Sequence, residues 1–309
     1  MIVALEFNSS ILGPALVNGV ATSALYGLLA VALVLTYRMS RAVPFVHGGI
    51  ATSCAFLYWY FAAESVTWAT QGWPKLPSLL LIMAIGGAMG LGFGSIVTGR
   101  MASWPRVTVT TFSLGGMLLA TGVVGSIWKG ALDSVPSPFG DSFTEILGMR
   151  VSRHQMITFL VLVLTVAGLT YVLTRTRLGV YIRAIADDVE AATMVGLPVH
   201  KVALTVWTFA GAVAGLSGAL IVPMTGLSEL AVLFVLLRSL AGAVLGGFDS
   251  LPLALGGAIM FGLVESVIGG AVFGPVNSGY REILLMVLLF GAIFTIARLR
   301  PNNLNLMEA

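Results

Sequence analysis

Few side chains in this sequence are placed where they could do chemistry. Arg238 and Glu265 are opposite charges inside apolar stretches, and His47 follows Pro44 and precedes Gly48 and Gly49. An isolated charge in hydrocarbon costs on the order of 3 kcal/mol, so ionisable groups there are functional candidates by default. Such groups can pair, line a path for a polar solute, or pass protons. The three histidines, His47, His154 and His200, lie in separate regions without the spacing of a metal site. Lys75, Lys129 and Lys201 all lack the glycine before and the Ser/Thr after that a phosphate-cradling loop needs. Ser53, Ser113 and Ser217 have no G-x-S-x-G setting, which leaves an intramembrane hydrolase the weakest of the functional readings. Gly90-Leu91-Gly92-Phe93-Gly94 sits inside an apolar run with no strand before it and no ribose-binding acid after it, so it is no dinucleotide loop. The single cysteine, Cys54, reads as packing material.

The elements that must position these residues are membrane helices. Of 309 residues, 58% are hydrophobic and only 9% charged, with a mean hydropathy of +0.99. Soluble domains carry roughly 25% charged residues, so the surface of this chain belongs to a lipid bilayer. The net charge of +3 comes without a basic run, which excludes nucleic acid as a partner. No Lys or Arg precedes Arg38, so a cleavable signal peptide is not expected and the first span serves for insertion.

Stretches long enough to span run from Phe7 to Tyr37, Ala42 to Ala63, Leu76 to Gly99, Val107 to Trp128, His154 to Thr174 and Val202 to Ser228. Weaker ones follow, from Leu230 to Phe248, Leu251 to Tyr280 and Ile283 to Ala297. The expectation is an all-α integral membrane protein, a polytopic bundle of about eight to nine hydrophobic segments, some of them half-helices. With the N-terminus outside, ten Lys/Arg fall inside and five outside, Arg238 uncounted, which puts the C-terminus in the cytoplasm. Gly86, Gly90 and Gly94, Gly211 and Gly215, and Gly242 and Gly246 recur four apart, the spacing of close helix contacts.

Two connections are long. Residues 129–153 fall outside, contain Pro136 and Pro138, and are expected to dock an extracytoplasmic partner. Residues 175–201 fall inside, where Val180, Ile182, Ile185, Val189, Ala192 and Val195 are spaced as one amphipathic face that ends at Gly196 and Pro198. The weakening of regular helix by Pro44, Gly48 and Gly49 predicts irregular backbone lining a cavity, with His47 as a structural hydrogen-bonding group.

Within the inner connection stands Asp187-Asp188-Val189-Glu190-Ala191-Ala192-Thr193-Met194-Val195-Gly196, which contains E-A-A-x-x-x-G. It resembles the EAA loop of ATP-binding-cassette (ABC) importer permeases, although the I-x-L-P continuation is missing after Gly196. Thr176 to Ala184 before it and Gly211 to Gly218 after it resemble the flanks of that loop in the LivH/LivM permeases of branched-chain amino acid importers. Asn18-Gly19 with Tyr26 to Ala30, Phe45 to Gly49, and Ala243 to Ser250 followed by Gly256, Gly257 and Glu265 resemble further blocks of that family. Gly49 stands where an acidic residue is frequent, and Phe248-Asp249-Ser250 replaces the usual small-residue turn. The likeness covers nearly the whole chain and is closer to the LivH type.

That resemblance implies a single transmembrane permease domain over residues 1–309 in a bacterial inner membrane. It further implies a second homologous, LivM-like permease, two ABC ATPase subunits that carry ATP and magnesium, and an extracytoplasmic substrate-binding protein. No cofactor is expected on this chain itself. Asp187, Asp188, Val189, Glu190, Ala191, Ala192, Val195 and Gly196 would form the coupling helix, with Val189, Ala192 and Val195 entering a groove on the ATPase. Asn18, Tyr26, His47, Gly48, Gly49, Arg238 and Glu265 are the candidates for the translocation path. The competing reading is an ion-coupled secondary transporter in which Arg238, Glu265 and His47 form the coupling machinery.

Overall fold

The computed structural model describes residues 9–62, 74–128 and 135–268 apart from 136, 141, 147, 148 and 249, together with 287 and 291. Apart from 287 and 291, the segment expected from Ile283 to Ala297 lies outside this set, as do the C-terminus, Asp249, residues 129–134 and 136 of the outer connection, and residues 269–280 of the segment expected from Leu251 to Tyr280. The order is α1 (Ser9–Ser40), α2 (Val46–Ala62), α3 (Lys75–Thr98), α4 (Arg106–Trp128), β1 (Phe143–Ile146), β2 (Met149–Ser152), α5 (Arg153–Arg175), α6 (Arg177–Asp187), α7 (Val189–Met194), α8 (Val199–Thr225), α9 (Glu229–Leu245) and α10 (Leu251–Val267).

Five helices, within α1, α3, α4, α5 and α8, are long and apolar enough to cross a membrane. The shorter apolar α2, α9 and α10 pack among them. Helix α1 is apolar around its whole circumference, the pattern of a buried helix. Its residues from Ala24 to Leu35 are all enclosed, with α5, α8, α9 and α10 around them. By contrast α4 and α5 present Val107, Leu118, Leu119, Leu160 and Leu164 outward. Apolar side chains on the outer face and small ones inside are what lipid as solvent selects, because it gives no hydrophobic reward for helix association.

The glycine rows act as expected. On α3 a Cβ at Gly86 would lie 2.6 Å from the carbonyl oxygen of Gly211 on α8, and one at Gly94 would lie 2.6 Å from Cβ of Trp207. Any side chain would force α3 and α8 apart. Gly242 on α9 faces Ala258 on α10 in the same way, with 2.8 Å left to its amide nitrogen.

Two expectations are corrected here. The outer connection, read as a loop, carries an antiparallel hairpin paired from Phe143↔Ser152 to Ile146↔Met149. Ser152 then caps α5 in a capping box with Gln155, which fixes where the hairpin ends and the helix begins. The irregular backbone expected at Gly48 and Gly49 lies instead just before them, at Arg41–Phe45, where Arg41 has φ 49°. Helix α2 starts at Val46 and continues through both glycines, and its first amide is met by Ser113 Oγ of α4 at 2.9 Å. The glycines serve packing. A Cβ at Gly48 would strike Leu236 of α9, and one at Gly49 would lie 2.9 Å from Cα of Met117 on α4.

Candidate functional site

Charge and small residues meet where α1, α9 and α10 cross. Gly19 and Gly262 allow close approach of α1 and α10, and Ser266 Oγ donates to the carbonyl of Ala15 at 2.6 Å. That contact sets Tyr26 beside Glu265, and the Tyr26 hydroxyl donates to Glu265 Oε2 at 2.6 Å. From α9, Arg238 Nη2 reaches Glu265 Oε1 at 3.0 Å, with the two side chains only 12% and 9% exposed. The guanidinium also lies 5.9 Å from the Tyr26 ring centroid and 5.5 Å from that of Phe234, within range of a cation–π attraction. Each charge is thus neutralised inside an apolar bundle.

Of the path candidates, the structure brings Tyr26, Arg238 and Glu265 together and keeps the others apart from them. Asn18 lies two turns before Tyr26 on α1, roughly 12 Å along the axis, and accepts from Gln155 Nε2 of α5 at 3.0 Å. His47 is fully buried on α2, with Nδ1 3.1 Å from the Pro44 carbonyl and its ring stacked 5.5 Å from Trp207. Gly48 and Gly49 sit in the α2 packing faces described above. Phe234 escaped the sequence reading, although it precedes Arg238 by one helical turn, the spacing at which side chains meet. Ser113 Oγ accepts from the Val46 amide and Ser217 Oγ donates to Leu25 O at 3.3 Å. Among the described residues no cluster of His, Cys, Asp or Glu is arranged to hold a metal.

The second candidate region is the charge-rich connection. Thr176 caps α6, and Gly179 lets the helix fold back against the end of α5, where a Cβ would overlap the Leu173 carbonyl. Arg183 donates to that same Leu173 carbonyl, and Arg41, from the end of α1, donates to the carbonyl of Ala186 near the end of α6. The short helix expected between Asp187 and Gly196 is α7, Val189–Met194, whereas the single amphipathic face expected from Val180 to Val195 is broken ahead of it. Asp187 closes α6, Asp188 is extended (φ −151°, ψ 108°), and its Oδ1 accepts from the amides of Glu190 at 2.9 Å and Ala191 at 3.0 Å. A carboxylate can reach those amides only from a non-helical N-cap, which is why the chain turns there. Helix α7 then ends as Leu197 N donates to Ala192 O, Gly196 N donates to Thr193 O and Gly196 takes φ 79°, a glycine-favouring C-terminal turn.

The break rotates the apolar pattern. Ile182, Ile185 and Ala192 are buried, while Val180, Val189, Met194 and Val195 are exposed, Met194 at 84% and Val195 at 76%. The residues read as one face are therefore two, and Ala192 packs into this chain instead of projecting from it. Met194 was not in the expected set.

A bundle of apolar helices with an enclosed ion pair and a capped helical turn projecting from a polar connection is the build of a multi-pass membrane permease. The chain matches the family described as "Branched-chain amino acid transport system / permease component" over residues 15–293 and belongs to it. Among relatives, the high-affinity branched-chain amino acid permease protein BraD of Pseudomonas aeruginosa is 23% identical over 94% of each chain. The corresponding LivH of Escherichia coli is 22% identical over 88% of this chain and 89% of its own. A fructose import permease, FrcC of Rhizobium meliloti, is 30% identical over 58% of this chain and 49% of its own. No solved structure matches the chain. Membership in this ABC importer permease family gives the ion-coupled reading no support.

Proposed function

We propose that this permease subunit forms part of the path by which an ABC importer of a bacterial inner membrane takes up branched-chain or other small amino acids. ATP and magnesium act in two separate ATPase subunits, a LivM-like permease completes the path, and a binding protein delivers the solute to the outer face that carries residues 129–153. The C-terminus lies in the cytoplasm. Support for the substrate class comes from the names borne by BraD and LivH over nearly their full lengths.

One observation carries the coupling role. On a connection rich in arginine and aspartate, α7 leaves Val189, Met194 and Val195 exposed on a turn fixed at both ends. Apolar side chains held out from a short, capped helix suit insertion into a partner's groove, which is one of the recurring modes of helix recognition. Asp187 and Glu190 are exposed beside them and available to basic residues on the groove's rim.

The test is reconstitution with a LivM-like permease, ATPase subunits and a binding protein. ATP-driven leucine uptake is expected, and Met194→Glu should lower it at least tenfold while insertion and pairing with the second permease are retained. Leucine uptake driven by an ion gradient in the absence of the ATPases would overturn the reading.

A further inference from the structure

Resting on the orientation given above, in which residues 175–201 face the cytoplasm, we infer that the seam of α3 and α8 is a binding site for an anionic phospholipid of the inner leaflet. One acyl chain lies in the groove between the two helices, and the headgroup phosphate meets Arg100 and Lys201.

The groove is a space of about 450 Å³ lined by Leu91 of α3 and by Leu204, Thr205, Thr208, Phe209 and Ala212 of α8. Its size falls within the range of about 300–1,000 Å³ typical of ligand sites. The threonine hydroxyls are turned onto their own helix, Thr205 Oγ1 donating to Lys201 O at 2.9 Å and Thr208 Oγ1 to Leu204 O at 2.8 Å. The lining is therefore apolar in effect. Gly87 brings the helices together beside it, where a Cβ would already lie 3.5 Å from Thr208 Cγ2 and 3.6 Å from Ala212 Cβ. Leu91 and Phe209 stand out, 43% and 41% exposed. A partner helix would meet those two large side chains first, whereas close helix contacts need small residues at the surface. A flexible hydrocarbon chain fits between them.

The groove has the depth of one leaflet. Lys201, Thr205, Thr208 and Ala212 stand at helical spacing on one stripe of α8. From Lys201 to Ala212 that stripe runs roughly 16 Å at 1.5 Å per residue, half of a hydrocarbon core about 30 Å thick.

Its cytoplasmic end is basic. The helices are joined there by Thr98, whose Oγ1 lies 3.1 Å from Nδ1 of His200. Arg100 stands just past Thr98 and Lys201 next to His200, and both are exposed. No Asp or Glu occurs from Lys75 to Trp128 or from Ala191 to Ser228. Asp187, Asp188 and Glu190 belong to α6 and α7, ahead of the Gly196 turn. Trp104, 51% exposed in the same connection as Arg100, is of the type that collects at headgroup level. Basic pockets between membrane helices on the cytoplasmic side bind anionic headgroups. A zwitterionic lipid offers the same chain but brings a cation of its own to the two basic residues.

The experiment offers phosphatidylglycerol and phosphatidylcholine with identical acyl chains, in equal amounts, to the assembled transporter in detergent, and counts the retained lipid by native mass spectrometry. Each Lys or Arg near an anionic headgroup contributes about a factor of five in binding, so the wild type should prefer phosphatidylglycerol about twentyfold. Arg100→Gln/Lys201→Gln should bring the preference close to parity, and Ala212→Phe, which fills the groove, should release both lipids. Phosphatidylglycerol should raise the thermal midpoint of the wild type but of neither variant, because only a bound ligand stabilises the folded state. Glycerol 3-phosphate, a headgroup without chains, should leave the lipid in place. Equal retention of the two lipids by the wild type, a preference kept by Arg100→Gln/Lys201→Gln, or displacement by glycerol 3-phosphate would each overturn the inference. So would cross-linking of Leu91→Cys to the second permease, which would make the seam a subunit interface. Labelling of Lys201→Cys from outside intact cells would overturn the orientation and with it the leaflet. A wild-type assembly that imports no amino acid with ATP would overturn the proposed function and leave lipid retention as it is.

Discussion

At the junction of α1, α9 and α10 charge is enclosed by apolar helices, whereas on α7 apolar side chains stand exposed among charged ones. Each region inverts the pattern of its surroundings, and each is held by a different kind of contact. Around Arg238 and Glu265 the hold is electrostatic, with Tyr26 on the other carboxylate oxygen. Around α7 the hold is made of backbone hydrogen bonds from a few caps, Asp188 at one end and the Gly196 turn at the other. A change in the first region separates opposite charges inside an apolar bundle. The second can be lost or moved at little cost to the bundle. Stability is concentrated in the former and responsiveness in the latter, as is general for segments that move.

The sharpest way to break the comparison is to remove one side of the ion pair. Glu265→Ala should cost about 3–5 kcal/mol of stability, read as a large fall in the thermal midpoint of the purified protein. Adding Arg238→Met to that variant should recover most of the loss. If Glu265→Ala alone is harmless, Arg238 is satisfied without Glu265 and the enclosed half of the contrast is wrong.

How far these regions could be read in the sequence depended on what kind of force holds them. That Arg238 and Glu265 had to be satisfied was legible, because isolated charges in apolar runs are too costly to ignore. Tyr26 was already a path candidate through the resemblance of its block, but its pairing with Glu265 was visible only in the fold, since 239 positions separate the two. The coupling segment was legible as a segment but not in its phase. Apolar positions continue at helical spacing through Asp188, so periodicity alone could not reveal that one carboxylate would cap a new helix and turn Met194 outward. Gly48 and Gly49 misled for a related reason. Glycine lowers helix propensity in isolation, but between α2, α4 and α9 the need for close approach outweighs it. The hairpin was missed because Phe143 to Ser152 has strand-like alternation over only two four-residue stretches.

A smaller effect should follow from cutting the link between the two regions. Arg41 directly follows α1, the helix that carries Tyr26, and its guanidinium holds the Ala186 carbonyl beside the α6–α7 break. Hydrogen bonds made by charged groups contribute about 1.5–3 kcal/mol, enough to tie α7 to α1 but not to hold the bundle together. Arg41→Ala should leave the ATPase bound and ATP hydrolysis near normal, while leucine imported per ATP falls severalfold. Arg41→Lys keeps the charge without the planar fork and should fall between. Unchanged stoichiometry in Arg41→Ala would mean that α7 communicates with the bundle by its other contacts, through α6 on α5 or through α8.

The smallest effect is expected at Asp188, and it separates the two halves of the comparison most cleanly. Its carboxylate satisfies two otherwise orphaned amides of a six-residue helix, and helices that short have little stability of their own. Replacing a capping Asp by Ala typically costs about 1 kcal/mol, a factor of about five in the population of the open turn. Asp188→Ala should therefore raise amide hydrogen exchange at Glu190 and Ala191 about fivefold, with the thermal midpoint of the bundle nearly unmoved, because the α1–α9–α10 junction does not depend on α7. Asp188→Ser should restore protection, since a hydroxyl can accept the same hydrogen bonds. Should exchange in Asp188→Ala stay at the wild-type rate, the buried Ala192 and the Gly196 turn hold α7 unaided, and its position is then built into the bundle instead of being set by its cap.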